Sequence, residues 1–498
     1  MFLFFMFAFG CIFANFYQKQ SVFYVILLIL IIILLFFIAF YYKKFVLSLL
    51  CLLTLFLGAG YFGICVKHFD DNMVYADAVE IKGTIYKIGT QKNCKQIIYL
   101  TDTLIDDCPM NANVMIQVYD NLNVFEYNDI GNVIIFEQEL QVLDLYEFDD
   151  EMASSFLYQN NLKYYTDVNT QNIALLEHKD YFSQKIKDLI KQNLSLGLNN
   201  ENASLAFSAL FGDKTELSSD ISTAFSTSGV SHLIAVSGLH VGFIVAILIL
   251  LLNLFRIKKL PQIIIVFVIL MFYAYICNFS PSIIRAMIMA MCLMMAPIFK
   301  REYDIVSAIS LAGLITLVIN PINVFDVGWL LSFGCVFGIA YFTKPFKYIF
   351  DKMGLNKMSS SIAISLSAQI SILFVSALVF EQVQTLSFVS NIIIIPLFTL
   401  AFSFIFLIAI LSLIVPFVMY ILCVINPVLS VIIIVTNLIA SIPFAVLSTN
   451  VINYFSVIIY FAMLTLISRF CLIERSVKIT LISIFATILV VNSTILML

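Results

Sequence analysis

Charge is scarce in this chain: of 498 residues only 12% are Asp, Glu, Lys or Arg, while 62% are hydrophobic and mean hydropathy is +1.02. An ordinary soluble domain carries roughly twice that share of charge, so a soluble fold is excluded. Sustained polar/apolar alternation is missing from the apolar runs as well, which excludes an outer-membrane barrel. Only helices satisfy every backbone polar group along such runs in lipid. No basic residue precedes the first apolar stretch, so residues 1–16 read as a retained short helix and not as a cleaved signal peptide. A Walker A motif is missing too: Gly212 to Thr215 reads GDKT, without the Gly-Lys-Ser/Thr order or an upstream Gly in register. The chain has four histidines and one tryptophan, Trp329, which reads as an interfacial or packing anchor.

The few charges present are unevenly placed. Of the 31 acidic residues 25 lie between 67 and 228, against 11 of the 27 basic ones, so this block is acidic and the remainder basic. The block is too long for a loop and long enough for a domain. Three apolar segments precede it, near 1–16, 21–42 and 45–66. About ten follow: 229–255, 260–278, 282–299, 303–319, 324–343, 359–380, 385–414, 416–447, 452–472 and 478–497. The expected fold is a polytopic α-helical membrane protein of about 13 transmembrane segments with an inserted extracytoplasmic β-rich domain.

Orientation follows from basic residues in short loops, which stay preferentially cytoplasmic. Lys43 and Lys44, Arg256 with Lys258 and Lys259, Lys300 with Arg301, the lysines 344, 347, 352 and 357, and Arg475 with Lys478 all follow even-numbered segments. The N-terminus is then cytoplasmic, residues 67–228 are outside, and the protein sits in the plasma membrane.

Four regions result: N-terminal helices 1–66, an outer domain 67–175, an amphipathic helical connector 176–228, and a membrane domain 229–498. In the outer domain Val79 to Ile88, Gln96 to Thr101, Val114 to Val118 and Asn132 to Phe136 read as strands between Asn, Asp and Gly turns, which points to a small barrel or sandwich. From about Tyr181 the period becomes helical and amphipathic, as in an interfacial helix. Cys94 and Cys108 are the only cysteines there, and an outside location permits a disulfide between them. Lys82, Lys87, Lys92 and Lys95 form a basic patch near aromatics, read either as a solvated face or as a strand-binding surface.

The densest chemistry is STSGVSHLIAVSGLHVGF, residues 226–243, with Ser231, His232, Ser237, Gly238, His240 and Gly242. Polar groups and glycines are costly at membrane depth. A helix interrupted at Gly238 would expose backbone groups suited to ions or phosphates, the alternative being close small-residue packing with satisfied histidines. On a continuous helix His232 and His240 lie about 12 Å apart. Further intramembrane polar candidates are Arg285, Asp326, Gln369 and Asn391. Arg285 suits a phosphate, an interfacial position or a pair with Asp326; Ser361, Ser365 and Gln369 recur every four residues on one helix face.

The run ALFGDKTELSSDISTAFSTSGVSHLIAVSGLHVGFIVAIL, residues 209–248, resembles the hallmark segment of the ComEC-type competence proteins. So do FSPSIIRAMIMA at 279–290, INPINVFDVGWLLSFGCVFGI at 319–339 and SAQISILFVSALVFEQVQTLSFVSNIIIIPL at 367–397, in the same order and spacing. FDDEMASSFLYQNNLKYY, at 148–165, resembles the end of that family's outer domain, although the Asn-Pro-Gly usually found before its Phe-Asp is missing.

The resemblance implies an OB-like outer domain and a channel that passes single-stranded DNA into the cytoplasm during natural transformation. Its path would run past Ser231, His232, Ser237, Gly238, His240, Gly242, Arg285, Asp326, Gln369 and Asn391. It also implies an extracytoplasmic DNA receptor and a cytoplasmic motor or binding protein. The H-x-H-x-D-H motif of the nuclease-like domain in longer relatives is absent, so a separate nuclease is expected and this chain is read as a non-enzyme without cofactor or metal. A homo-oligomer stays open. The alternatives are an intramembrane hydrolase using Ser237 with His240 or His232, and a transporter of another polyanion or lipid-linked substrate.

Overall fold

An uncharged run opens the chain and forms helix α1 (Phe2–Gln18), followed by α2 (Phe45–Asp70). The computed structural model describes residues 2–18, 45–70, most of 79–143, most of 156–179, and 181–449 apart from 356 and 357, with Tyr460 and Met463. These fall into two units, Met1–Ile186 with Ser310–Asp326, and Lys187–Ile309 with Val327–Leu498.

In the first unit α1 and α2 cross where Gly10 meets the backbone of Leu55 and Gly58 meets that of Phe7. A side chain at either glycine would occupy the neighbouring backbone, so these two positions set how closely the helices approach. The segment Ser310–Asp326 belongs to this unit. Tyr61 donates to the Val318 carbonyl at 2.5 Å, Phe62 packs edge-on against Phe325 at 6.3 Å, and Gln159 donates to Asn323 at 2.9 Å.

The same unit holds strands β1 (Val79–Ile88), β2 (Lys95–Ile105), β3 (Cys108–Pro109), β4 (Asn113–Tyr119), β5 (Asn132–Gln138), β6 (Gln141–Val142), β7 (Leu162–Asn169) and β8 (Ala174–His178). They form one sheet in the order β6-β7-β4-β2-β1-β5-β8, with β3 paired to β2. The β4–β7 pair is parallel and the others are antiparallel. β6 follows β5 almost directly yet pairs with β7, so the path through the sheet returns on itself. Along β4 residues alternate strictly between buried and half-exposed, the pattern of a sheet with one dry face. Ile81, Ile85, Ile98, Leu100, Val114, Ile116 and Tyr164 fill that face.

The expected strands agree with β1, β2, β4 and β5, whereas β7 and β8 lie beyond the stretch read as strands. Lys92 lies outside the described residues, as does Cys94. Lys95 opens β2 and Cys108 pairs near the other end of it; the expected disulfide between Cys94 and Cys108 thus lies outside the described residues.

The second unit is helical. It contains most of α3 (Phe182–Gly197), then α4 (Asn200–Phe211), α5 (Ser219–Thr227), α6 (Gly238–Leu254), α7 (Lys259–Ile276), α8 (Pro281–Met295), and the start of α9 (Ile305–Ile319). After it come α10 (Val327–Lys352), α11 (Ser359–Phe380), α12 (Ser387–Ser412) and α13 (Asn426–Ala440), with β9 (Gln382–Gln384) and β10 (Val446–Ser448) paired as a short two-stranded antiparallel sheet. Asn202 of α4 donates to the Asn426 side chain at 2.7 Å and to Ser430 at 2.8 Å, tying the connector helices to α13.

Four described helices are long and apolar enough to cross a membrane: Leu50–Phe69, Lys259–Ile276, Val327–Lys352 and Ser387–Ser412. A fifth counts if Pro416–Val424 and Asn426–Ala440, bent by 52°, form one broken span. Five further apolar helices are shorter, among them Gly238–Leu254. At 1.5 Å per residue its 17 residues reach about 25 Å, below the roughly 30 Å hydrocarbon core. The expected segments at 21–42 and 478–497, and nearly all of 452–472, lie outside the described residues.

Candidate functional site

Helix α5 ends at Thr227, and Gly229 then takes φ +77 with its α-carbon against Ser387 at the start of α12. Only glycine adopts this left-handed backbone without strain, and here a side chain would also meet the Ser387 side chain. A single 3-10 turn follows at Ser231–Leu233. Ser208 of α4 donates to the Ile234 carbonyl at 3.0 Å and holds the next stretch. Ser237 is extended, φ -127 and ψ 165, and caps α6, whose first residue is Gly238.

The expected apolar segment 229–255 is therefore not one helix interrupted at Gly238. Residues 229–237 lead in without α-helix, and the 12 Å spacing of a continuous helix does not apply to His232 and His240. Ser231 is half-buried, His232 and Gly238 are exposed, and Gly242 faces open space.

His240 is fully buried. Its Nδ1 accepts the Ser237 backbone N–H at 3.0 Å and lies 3.1 Å from the Ser237 hydroxyl. This is the reciprocal cap that Glu or Gln usually provides at the third helical position. With Nδ1 accepting, the ring proton resides on Nε2, which has no hydrogen-bond partner among the described residues. The ring packs on Phe402 at 4.4 Å and on Phe398 at 5.6 Å.

The expected polar stripe on α11 meets α12 at one point: Gln369 donates to Ser387, whose hydroxyl donates to the Gln384 carbonyl at 2.8 Å. Asn391, one turn further along α12, has a buried Oδ1 without a partner among the described residues, and so has Ser365 at its Oγ. Ser361 is exposed. The buried serines of α11 are Ser359, Ser367 and Ser371, the last two packed against Gly338 of α10. Ser387, Asn391, Phe398 and Phe402 share one face of α12, so the loop at Gly229, the Gln369 amide and the His240 ring all meet the same helix surface.

Arg285 is 2% exposed and does not reach an outer surface. It donates to the Ser282 hydroxyl and to the Gly328 carbonyl, each at 3.0 Å, and its guanidinium lies over Phe333 at 5.4 Å. Trp329 is buried and stacked on the same Phe333 at 4.0 Å, a packing role. Asp326, half-buried, closes the 3-10 turn Pro321–Phe325 in the first unit. At GDKT, Gly212 ends α4 in a left-handed cap and Asp213 accepts from Thr215 in a local turn. In the sheet unit Lys87 sits over Tyr99 and Phe156, 5.4 Å from each ring centre.

Sequence reasoning did not single out Ser387, Phe398 or Phe402. The four-residue spacing of Phe398, Phe402 and Phe406 was the available signal, but inside an apolar run it has the same form as ordinary helix packing.

Residues 209–475 match the family model described as "Competence protein", and every site residue from Gly229 to Phe402 lies inside that match. Among curated proteins, ComE operon protein 3 of Bacillus subtilis (strain 168) is 26% identical over 250 residues, 49% of this chain and 31% of that protein. The match thus spans under a third of that relative's length. No solved structure matches the chain.

Proposed function

The chain belongs to the competence protein family, and from that premise we propose that it is a plasma-membrane channel passing single-stranded DNA into the cytoplasm during natural transformation. The observation that carries this reading is the line of polar groups set into an apolar bundle within the family match: Gly229 on Ser387, Gln369 bonded to Ser387, and Asn391 a turn beyond. Burying such groups is expensive unless they are hydrogen-bonded, and the buried Asn391 Oδ1, without a partner among the described residues, supports a polar ligand on this face. Ser231, His232, Ser237, Gly238, His240 and Gly242 then border the path, and Arg285 braces α8 against α10.

Residues 67–175 are proposed as an OB-like domain outside the membrane, supported by the parallel β4–β7 pair and the return of β6 to β7. The count of about 13 spans, which rests on the apolar segments, and the cytoplasmic N-terminus, which rests on the basic loops, belong to the same proposal.

A strand entering an inside-negative cell meets about 2.3 kcal/mol per charge per 100 mV. A cytoplasmic motor or binding protein is the proposed source of work, with an outside receptor and a separate nuclease as further partners. Against a hydrolase, the Ser237 hydroxyl shares His240 Nδ1 with its own backbone N–H, and no carboxylate orients the ring through Nε2 among the described residues.

Expressing the chain in a competent strain deleted for its own homologue, beside a hydrolysis assay on purified protein, tests the reading. Restored transformation without hydrolysis is expected. Hydrolysis without restoration would replace the channel by an enzyme.

A further inference from the structure

The buried face of α12 changes chemistry along its length. Its first turns carry Ser387 and Asn391; from Phe398 onward it is aromatic, with Phe398 stacked on Phe402 at 6.0 Å and both at most 2% exposed. His240 is set against this pair and is itself fully buried. Its Nδ1 is fixed as an acceptor by Ser237, so the Nε2–H is a buried donor without an acceptor among the described residues. Such a donor is costly to bury, and the face of a phenyl ring answers it only weakly.

Resting on the channel reading, we propose that His240, Phe398 and Phe402 form a nucleobase-stacking site at the closed point of the path, its ligand an unpaired base of a single strand. When no strand is present the three rings pack on one another, His240 edge-on to Phe398 and tilted against Phe402. A passing base takes the place of one ring contact by stacking, which every base does through its π-face, and its ring nitrogens or carbonyl oxygens accept from Nε2–H. A paired base keeps its faces inside the duplex stack, so duplex DNA gains nothing here.

The test uses full-length protein purified in lipid nanodiscs and a single-stranded oligonucleotide carrying 2-aminopurine among thymines, whose fluorescence falls on stacking. Wild type is expected to quench it and to bind an abasic oligonucleotide of equal length about ten-fold more weakly. His240→Gln, which retains a capping side chain, and the double variant Phe398→Leu/Phe402→Leu are expected to lose most of the quenching. If the leucine variant does not fold, His240→Gln decides. Strand binding with unchanged quenching in His240→Gln, or equal affinity for the abasic strand, would overturn the stacking site and leave the channel reading in place. Absence of any strand binding by wild type would remove both.

Discussion

Ser237 and His240 complete each other: the backbone N–H of Ser237 donates to His240 Nδ1 at 3.0 Å, and the Ser237 hydroxyl stands 3.1 Å from the same atom. The pair starts α6 at Gly238 and fixes the imidazole against α12. A histidine read from the sequence as a path-lining group or a partner of Ser237 in hydrolysis is, in its local chemistry, a helix cap. The cap also decides which ring nitrogen faces the aromatic cluster.

His240→Gln should therefore fold like the wild type, because Gln is a regular partner in a capping box, whereas His240→Ala should lose about 1 kcal/mol. Thermal unfolding in detergent reads the difference. Transformation of the complemented strain should be partly retained with Gln and abolished with Ala; equal loss in both would assign the ring a role beyond the cap for uptake as a whole.

Gly229→Ala should destabilise the loop by at least about 1 kcal/mol, from its positive φ alone. Contact with Ser387 adds to this. A lowered unfolding midpoint together with reduced transformation is expected, and an unchanged midpoint would show that the loop relaxes away from α12.

Local patterns were readable wherever a short period decides the structure. The alternation in Val79 to Ile88 gave β1, and the onset of helical period near Tyr181 matches α3 at Phe182. Apolar runs conceal their breaks. The run 416–447 contains a bend of 52° between two helices, and the run 229–255 starts with a loop, because hydropathy does not distinguish a helical Leu or Val from a non-helical one. The loop is set by Gly229 against Ser387, a contact between residues far apart in the chain. For the same reason Arg285 was legible as a costly buried cation, while its acceptors Ser282 and the Gly328 carbonyl were not: one is a local hydroxyl and the other a backbone atom.

Arg285→Lys should not replace the native residue. The guanidinium reaches two acceptors at 3.0 Å and lies 5.4 Å from the centre of the Phe333 ring, and a lysine ammonium on its single stem cannot reproduce that planar fork. A loss of about 2 kcal/mol or more is expected, read as a lower midpoint and a lower membrane yield. Full stability with selective loss of uptake would instead assign Arg285 to the strand.

Cys108 is exposed on β3, which makes it a reporter of orientation. In a Cys94→Ser background a membrane-impermeant maleimide applied to intact cells should label Cys108, and a cysteine introduced at Lys258 should remain unlabelled until the cells are opened. The reverse pattern would invert the proposed topology.

Asp304 caps α9 and gives a pH test outside the membrane-spanning helices. Its Oδ2 accepts the Ser307 hydroxyl at 2.5 Å and the Ser307 N–H at 3.0 Å, and its Oδ1 accepts the Val306 N–H at 3.3 Å. The Ser307 hydroxyl is the main reason its pKa lies below the usual carboxylate value; burial opposes it next in size, and the two backbone N–H groups add to the lowering. A depressed folded-state pKa means that the ionised form is the one folding favours. The stabilisation is present above the unfolded carboxylate pKa of about 4 and disappears as pH falls through the lower folded value. Asp304→Ala should thus cost about 1 kcal/mol at neutral pH and progressively less below about pH 4. Ser307→Ala, which removes the leading cause, should move the midpoint of that loss upward in pH. Unfolding midpoints of the three proteins followed from pH 7 down to the acid limit of folding check this, and a difference between wild type and Asp304→Ala that grows on acidification would refute it.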